Sequence, residues 1–567
     1  MKQLTGLDAS FLNLETGPVY GHVSSIAIYD SPNAPEQLTA TRLRERMMSR
    51  IHKLPVFRHK LVPVPMDLDQ PYWCDDPDFD IKAHIYDVGI AAPGSRDQLK
   101  ELVSRIIARP LDRSRPLWEI AVINGLEDGK TAVISTVHHS LIDGGSGNDI
   151  NSVLLDRDPL ADQENPAPEP WTPEPTPEPL ALLTSAMTAN ALRPLKAAKL
   201  QWEMFTQLTK QTPNFAALAP QMASTARAGA ARHTVFNVKP TNRRIWEPFR
   251  IPLSEVKTIK SAVGATVNDV VMAECAGGLR AWLQEHHELP DKPLTVSVPV
   301  SIRDESEKGA LGNKVSMIVT ELPTDVDDPM ERLKSVHEAM KLSKEVHDMM
   351  PMSQIIEFGD FATPGLSSMA ARAMQRANTA GEVMPALTIS NVPGAPWAMY
   401  LCGAELLEFY PASMIVDGQA LNITLHSYHG SLDFGLVACP SAVPDLKGIA
   451  DAIVADHQAL LRQIGVLHAR LAPMGTHFAG EGPDLASVAP AVVSRTIVGT
   501  GPLQGSMDKW SSEILVPPRA LSSVSRTRPL SATSSVVALT RVVSRFLARR
   551  MATENPVAAM RATIGAS

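Results

Sequence analysis

Apolar positions along this chain switch repeatedly between two spacings. Ile26 to Tyr29 and Thr131 to Val137 are short runs of β-branched and apolar residues, which predicts strands. Thr39 to Ile51 and Leu99 to Ala108 place apolar residues three and four apart, the spacing of a helix with one buried face. From about Thr234 the alternation resumes. Strands are predicted at Leu294 to Val300, Ser316 to Thr320, Leu387 to Ser390, Ala420 to His426 and Asp433 to Ala438, with helices at Asn268 to Glu285 and Leu446 to Ile464. The chain therefore reads as α/β in both halves.

Between the halves, Asn165 to Pro179 repeats Pro-Glu-Pro and Thr-Pro units. Proline fixes φ and removes a backbone donor, so this stretch predicts an extended linker. Leu180 to Leu208, rich in Ala, Leu, Met and Lys and broken at Pro194, predicts connecting helices; Trp202, Phe205 and the lysines could alternatively touch lipid. The expected organisation is a first α/β subdomain at 1–157, the linker at 158–180, a helical connector at 181–233, a second α/β subdomain at 234–467 and a tail at 468–567. The tail is rich in Ser, Ala, Val, Pro and Arg and is expected to lack a packed core. Within it, Ser535 to Met551 gathers Val536, Leu539, Val543, Phe546 and Leu547 on one helical face and Arg541, Arg545 and Arg549 on another. That pattern suits either a solvated helix or a membrane-surface anchor.

Length and composition narrow the classes. A chain of 567 residues exceeds one ordinary core, and 44% apolar with 20% charged residues is globular. A net charge of −8 with no basic block argues against nucleic acid as partner. Cys74, Cys275, Cys402 and Cys439 form no C-x-x-C pair, so neither a disulfide framework nor a thiolate zinc site is expected, and a reducing cytoplasm is. No secretory h-region opens the sequence, and no run of about 18 apolar residues offers a spanning helix, so membrane contact is expected to be peripheral.

The candidate chemistry concentrates at Val137-His138-His139-Ser140-Leu141-Ile142-Asp143-Gly144-Gly145, which ends an apolar strand. Side chains alternate faces along a strand, so one histidine points inward and the other outward. Asp143 followed by two glycines predicts a sharp turn that returns a carboxylate beside the strand end. By itself a His-His pair is also a common packing feature. Metal ligation is poorly served, because the three side chains diverge and no H-E-x-x-H helix or distant Cys/His set joins them. Ser140 lies outside any G-x-S-x-G elbow.

This stretch resembles the HHxxxDG motif of the bacterial wax ester synthase/acyl-CoA:diacylglycerol acyltransferases. Leu7-Asp8-Ala9-Ser10-Phe11-Leu12 resembles that family's opening, Pro116-Leu117-Trp118 its PLW element and Asn268-Asp269 its ND element. Asn391-Val392-Pro393-Gly394, Tyr410-Pro411 and Leu421 to Gly435 resemble its C-terminal strands, so the likeness spans roughly residues 1 to 465. The resemblance implies two chloramphenicol-acetyltransferase-like subdomains with a tunnel between them. It implies acyl transfer from fatty acyl-CoA, as co-substrate and with no cofactor or metal, to diacylglycerol or a long-chain alcohol, at a membrane face or lipid body. It makes His139 the general base, which takes a proton from the acceptor hydroxyl, with His138 supporting it. Asp143 becomes an orienting residue paired with Arg303 on a strand of the other half. Asn268 is a candidate oxyanion donor, or a helix N-cap. Gly144, Gly145, Pro116, Leu117, Trp118, Asp269, Asn391 and Gly394 are candidate substrate contacts. Another alcohol or amine acceptor, or a non-catalytic lipid-coating role, remains open alongside. The tail departs from the family, and no function is carried onto it.

Overall fold

The computed structural model describes residues 1–15, 17–141, 153–161, 170–191, 234–301, 315–349 and 385–471. Two six-stranded sheets organise them. The first runs, edge to edge, Tyr400–Leu401, Ala404–Ala412, His22–Asp30, Thr131–His138, Trp118–Asn124 and Ile85–Gly89. The second runs Val315–Leu322, Leu294–Ser301, Leu387–Val392, Leu421–Tyr428, Ser431–Ala438 and Ile245–Pro252. The expected α/β class with two sheet-rich parts is observed.

Two strands, Tyr400–Leu401 and Ala404–Ala412, depart from the division by sequence. Ala404–Ala412 lies between the second half's strands in the chain, yet it pairs antiparallel with His22–Asp30 of the first sheet. Its alternation is interrupted by a bulge between Leu406 and Glu408, which hides the two-residue period. Both sheets hold it. Arg96 of the Arg96–Ile106 helix grips the Glu408 carboxylate, which also accepts from Tyr410 Oη at 2.8 Å. From the second sheet, the fully buried Asp433 accepts the Phe409 N–H at 2.9 Å and Arg250 Nε at 2.7 Å. Gly435 is needed where this strand passes, because a Cβ there would sit 1.7 Å from the Pro411 carbonyl oxygen.

Four helices, Leu253–Val263, Val267–Glu285, Pro329–Met349 and Leu446–Leu471, pack with the second sheet. Val267–Glu285 is buried on nearly every side, which explains its lack of a polar face. Gly277 and Gly278 let the Leu446–Leu471 helix approach its backbone, since a Cβ on Gly278 would lie 2.4 Å from Ile453 Cγ1. A small third sheet of Lys2–Gln3, Tyr72–Asp75 and His59–Val62 borders the first subdomain.

Residues 170–178 of the linker carry neither helix nor strand. They lie along the third sheet, with the Glu174 N–H donating to Asp75 at 2.8 Å and Arg58 over the Trp171 ring at 4.5 Å. Residues 179–191 are helical, as the composition predicts; the rest of the connector and all of the tail beyond 471 lie outside the described residues. Among the described residues, no helix is long and apolar enough to cross a membrane, and the four cysteines are buried and form no disulfide.

Candidate active site at a strand end

The Thr131–His138 strand occupies an inner position of the first sheet, and its register aligns His138 with His22 and Val137 with Val23. Backbone bonds carry the pairing past its end. His138 N–H donates to the Leu117 carbonyl at 3.0 Å, His139 N–H to the Gly21 carbonyl at 2.8 Å, and Leu141 N–H turns back to His138 O at 2.9 Å. His138 is the last residue of the strand and His139 the first beyond it, and the two rings have different partners.

His138 is buried, with 2% of its surface exposed. Its Nδ1 accepts from the Ser140 N–H at 3.1 Å and lies 2.6 Å from Ser140 Oγ. An accepting Nδ1 leaves the proton on Nε2, which donates to Glu15 Oε1 at 3.3 Å. Both ring nitrogens are thereby occupied, which suits a support. His139 is half-buried instead, and its ring stacks on Phe11 with centroids 4.6 Å apart and planes 11° apart.

Phe11 and Glu15 come from the N-terminal segment. The Gly6–Asn13 helix is capped by Thr5, whose side chain accepts from Asp8 N–H at 3.1 Å. Just past its end, Glu15 accepts from Gly21 N–H at 2.8 Å and pairs with Arg113, which also holds the Leu12 carbonyl at 3.2 Å. Burial alone would raise the Glu15 carboxyl. The hydrogen bonds from His138, Gly21 and Arg113 outweigh it and bring the group from its ordinary value of 4.5 down to about 2. The sequence marks Phe11 only as one residue of the opening motif and does not mark Glu15; a Thr-x-x-Asp cap ahead of apolar positions is the signal for the helix that carries Phe11.

The other candidate residues separate into distinct groups. Leu117 and Trp118 are in the core, not on an open wall. Trp118 donates its indole N–H to the Phe57 carbonyl at 2.8 Å and stacks on His84 at 4.4 Å. With Leu117 O taking the His138 N–H, the PLW element braces the histidine strand. Asp269 likewise has structural partners, Thr266 and His337, the latter at 2.8 Å. Thr266 is the N-cap of that helix, which corrects the capping alternative for Asn268. Asn268 stands in the first turn, half-buried. Gly394 donates to Ser427 Oγ at 2.9 Å, and a Cβ there would lie 2.0 Å from His426 Cε1, so its loop lies directly on the second sheet. Asn391 is the penultimate residue of the Leu387–Val392 strand leading into that loop. Asp143, Gly144, Gly145 and Arg303 lie outside the described residues. Among the described residues no group of three or more His, Cys, Asp or Glu side chains is arranged to hold a metal ion.

Two further histidines are held neutral by burial. His22 donates from Nε2 to the Ile107 carbonyl at 3.1 Å, and His426 packs on Phe409 with centroids 4.6 Å apart. Desolvation depresses both from 6.5 to about 4. An unfolded chain protonates these rings near 6.5, whereas the folded chain resists until about 4. Their contribution to stability is present above pH 6.5 and is lost as the pH falls through 4. Urea midpoints are expected to drop across that window, and His22→Asn with His426→Asn should flatten the drop. A midpoint equally steep in the double variant would refute this.

Two six-stranded sheets joined by a crossover strand are the architecture of the condensation-domain type of fold. The first condensation domain of the calcium-dependent antibiotic synthetase superposes with a TM-score of 0.50 at 16% identity, over 81% of this chain and 97% of that one. At that identity the fold alone is shared. The wax ester synthase/diacylglycerol acyltransferase from Marinobacter aquaeolei VT8 matches with a TM-score of 0.58 and 27% identity, over 82% of this chain and all of that one. A Mycobacterium tuberculosis protein named as a diacylglycerol O-acyltransferase is 33% identical over 473 residues, covering 82% of this chain and all of the relative. The family's catalytic domain matches residues 4–271 and its C-terminal domain residues 311–460. The chain belongs to the wax ester synthase/diacylglycerol acyltransferase family, and is an acyltransferase.

Proposed function

We propose that this enzyme moves a fatty acyl group from acyl-CoA to the free hydroxyl of diacylglycerol, with long-chain alcohols as a secondary acceptor, and that His139 is its general base. The observation that carries the assignment of roles is the contrast within the pair: His138 has both ring nitrogens engaged by Ser140 and Glu15, while His139 is half-buried on an aromatic face. The imidazole of His139 removes the hydroxyl proton as the oxygen attacks the thioester carbon. Collapse of the tetrahedral intermediate breaks the C–S bond, and the proton passes from His139 to the departing thiolate. A thioester is already activated, so no resident cofactor or metal takes part. Asn268 and the amides of Gly144 and Gly145 serve the oxyanion, Asp143 holds its turn through Arg303, and Asn391 and Gly394 shape a passage between the subdomains. Work on lipid acceptors takes place at a membrane or lipid-body surface that the protein meets peripherally.

The acceptor is tested by competition. Purified protein given labelled oleoyl-CoA with equal diolein and hexadecanol is expected to form mainly triacylglycerol. Preferential wax ester formation overturns the acceptor assignment, and no product with either overturns the activity in favour of a lipid-coating role.

A further inference from the structure

Phe11 does more than fill space beside the histidine pair. It sits two residues from the end of the Gly6–Asn13 helix, and three separate contacts fix this segment: the Thr5 cap at the helix start, Arg113 on the Leu12 carbonyl near its end, and Glu15 on the Gly21 N–H beyond it. Gly21 in turn accepts the His139 N–H. The backbone under the His139 ring and the phenyl ring against it are therefore set by one short segment, residues 5–22. The near-parallel stack, 11° between planes at 4.6 Å, restricts the rotation of the imidazole.

Resting on the assignment of His139 as general base, we propose that Phe11 is a positioning residue for the acyl transfer, presenting the His139 ring at a fixed angle and stabilising the positive charge that the ring gains as it takes the proton. The face of a phenyl ring carries partial negative charge, so a cation stacked on it is favoured over a neutral ring in the same place. That charge exists only after proton transfer has begun, so the stabilisation is larger in the transition state than in the ground state. Phe11 needs no contact with either substrate, and the acyl-CoA and acceptor sites should be unaffected by its loss. Glu15, which pairs with His138, and Arg113, which pairs with Glu15, stay in place in every variant used below.

The test compares Phe11→Leu, Phe11→Trp and Phe11→Ala with the parent and with His139→Ala. Leucine keeps apolar cover but has no ring face. Phe11→Leu is expected to lower kcat about tenfold with KM for both substrates little changed. It should also move the acid limb of the kcat/KM–pH profile to lower pH, because the imidazolium loses its stacked partner. Phe11→Trp should restore both kcat and the limb. Phe11→Ala, which also frees the ring to turn, is expected to fall about a hundredfold. Thermal melts in each variant separate these losses from unfolding. A Phe11→Leu enzyme with parental kcat and an unmoved acid limb overturns the proposal. So does a loss that tracks only the folded fraction, or one that tryptophan fails to restore. If His139→Ala itself retains full turnover, it is the general-base assignment that fails; if His139→Ala is inactive while Phe11→Leu is unchanged, only the role of Phe11 falls.

Discussion

Replacing His139 with alanine is expected to lower kcat by about 10²- to 10⁴-fold, the usual span for removing a positioned general base, while leaving the melting temperature close to that of the parent. The reason for the split is location. His139 is half-buried at a strand end, and its backbone bond to Gly21 survives the substitution. His138→Ala should show the opposite balance. That ring is 2% exposed and is the donor to Glu15, so its removal leaves a cavity and takes one hydrogen bond from a largely buried carboxylate. Its loss of stability is expected to be about 2–4 kcal/mol, with turnover falling less than in His139→Ala once corrected for folded protein. Initial rates with oleoyl-CoA and diolein, together with urea midpoints, measure both quantities. Full loss of chemistry in a stably folded His138→Ala, with activity kept in His139→Ala, would reverse the two roles.

The strand that ends in the histidine pair was legible because its run of apolar side chains is a local signal. A run such as Thr131 to Val137 specifies a buried strand through its own side chains, and the structure extends it by a single residue to His138. The helices expected at Leu99 to Ala108 and Asn268 to Glu285 were found at Arg96–Ile106 and Val267–Glu285 for the same reason, each with a Ser or Thr cap just before it. What stayed hidden depends on contacts between distant segments. Ala404–Ala412 joins the first sheet because Arg96 and Asp433 hold it from either side, and its bulge disguises the alternation. The partner of the Trp118 indole N–H, the Phe57 carbonyl 61 residues earlier, is likewise beyond any local pattern. Glu15 and Phe11 lie more than a hundred residues from the pair they serve, and no spacing rule connects them. The resemblance supplied the family and its motif order, whereas the bracing of the pair by residues 5–22 comes from the fold alone.

The same bracing makes Gly21 intolerant of a side chain. A Cβ at this position would lie 2.5 Å from His138 Nε2, 3.0 Å from His138 Cε1 and 2.9 Å from the Phe11 carbonyl oxygen. None of these atoms yields easily: the His138 ring is pinned between Ser140 and Glu15, and the Phe11 oxygen belongs to the helix backbone. Gly21→Ala is therefore expected to cost about 1–3 kcal/mol of stability from overpacking. Because Gly21 O also receives the His139 N–H, a displaced backbone carries the base with it, and a shift of about 1 Å lowers kcat about a hundredfold. A double-mutant cycle isolates the cause. Removing the His138 ring opens space for the new methyl group, so Gly21→Ala should destabilise a His138→Ala background clearly less than it destabilises the parent. If urea midpoints show the two losses simply adding, the clash with His138 is not what makes glycine necessary here.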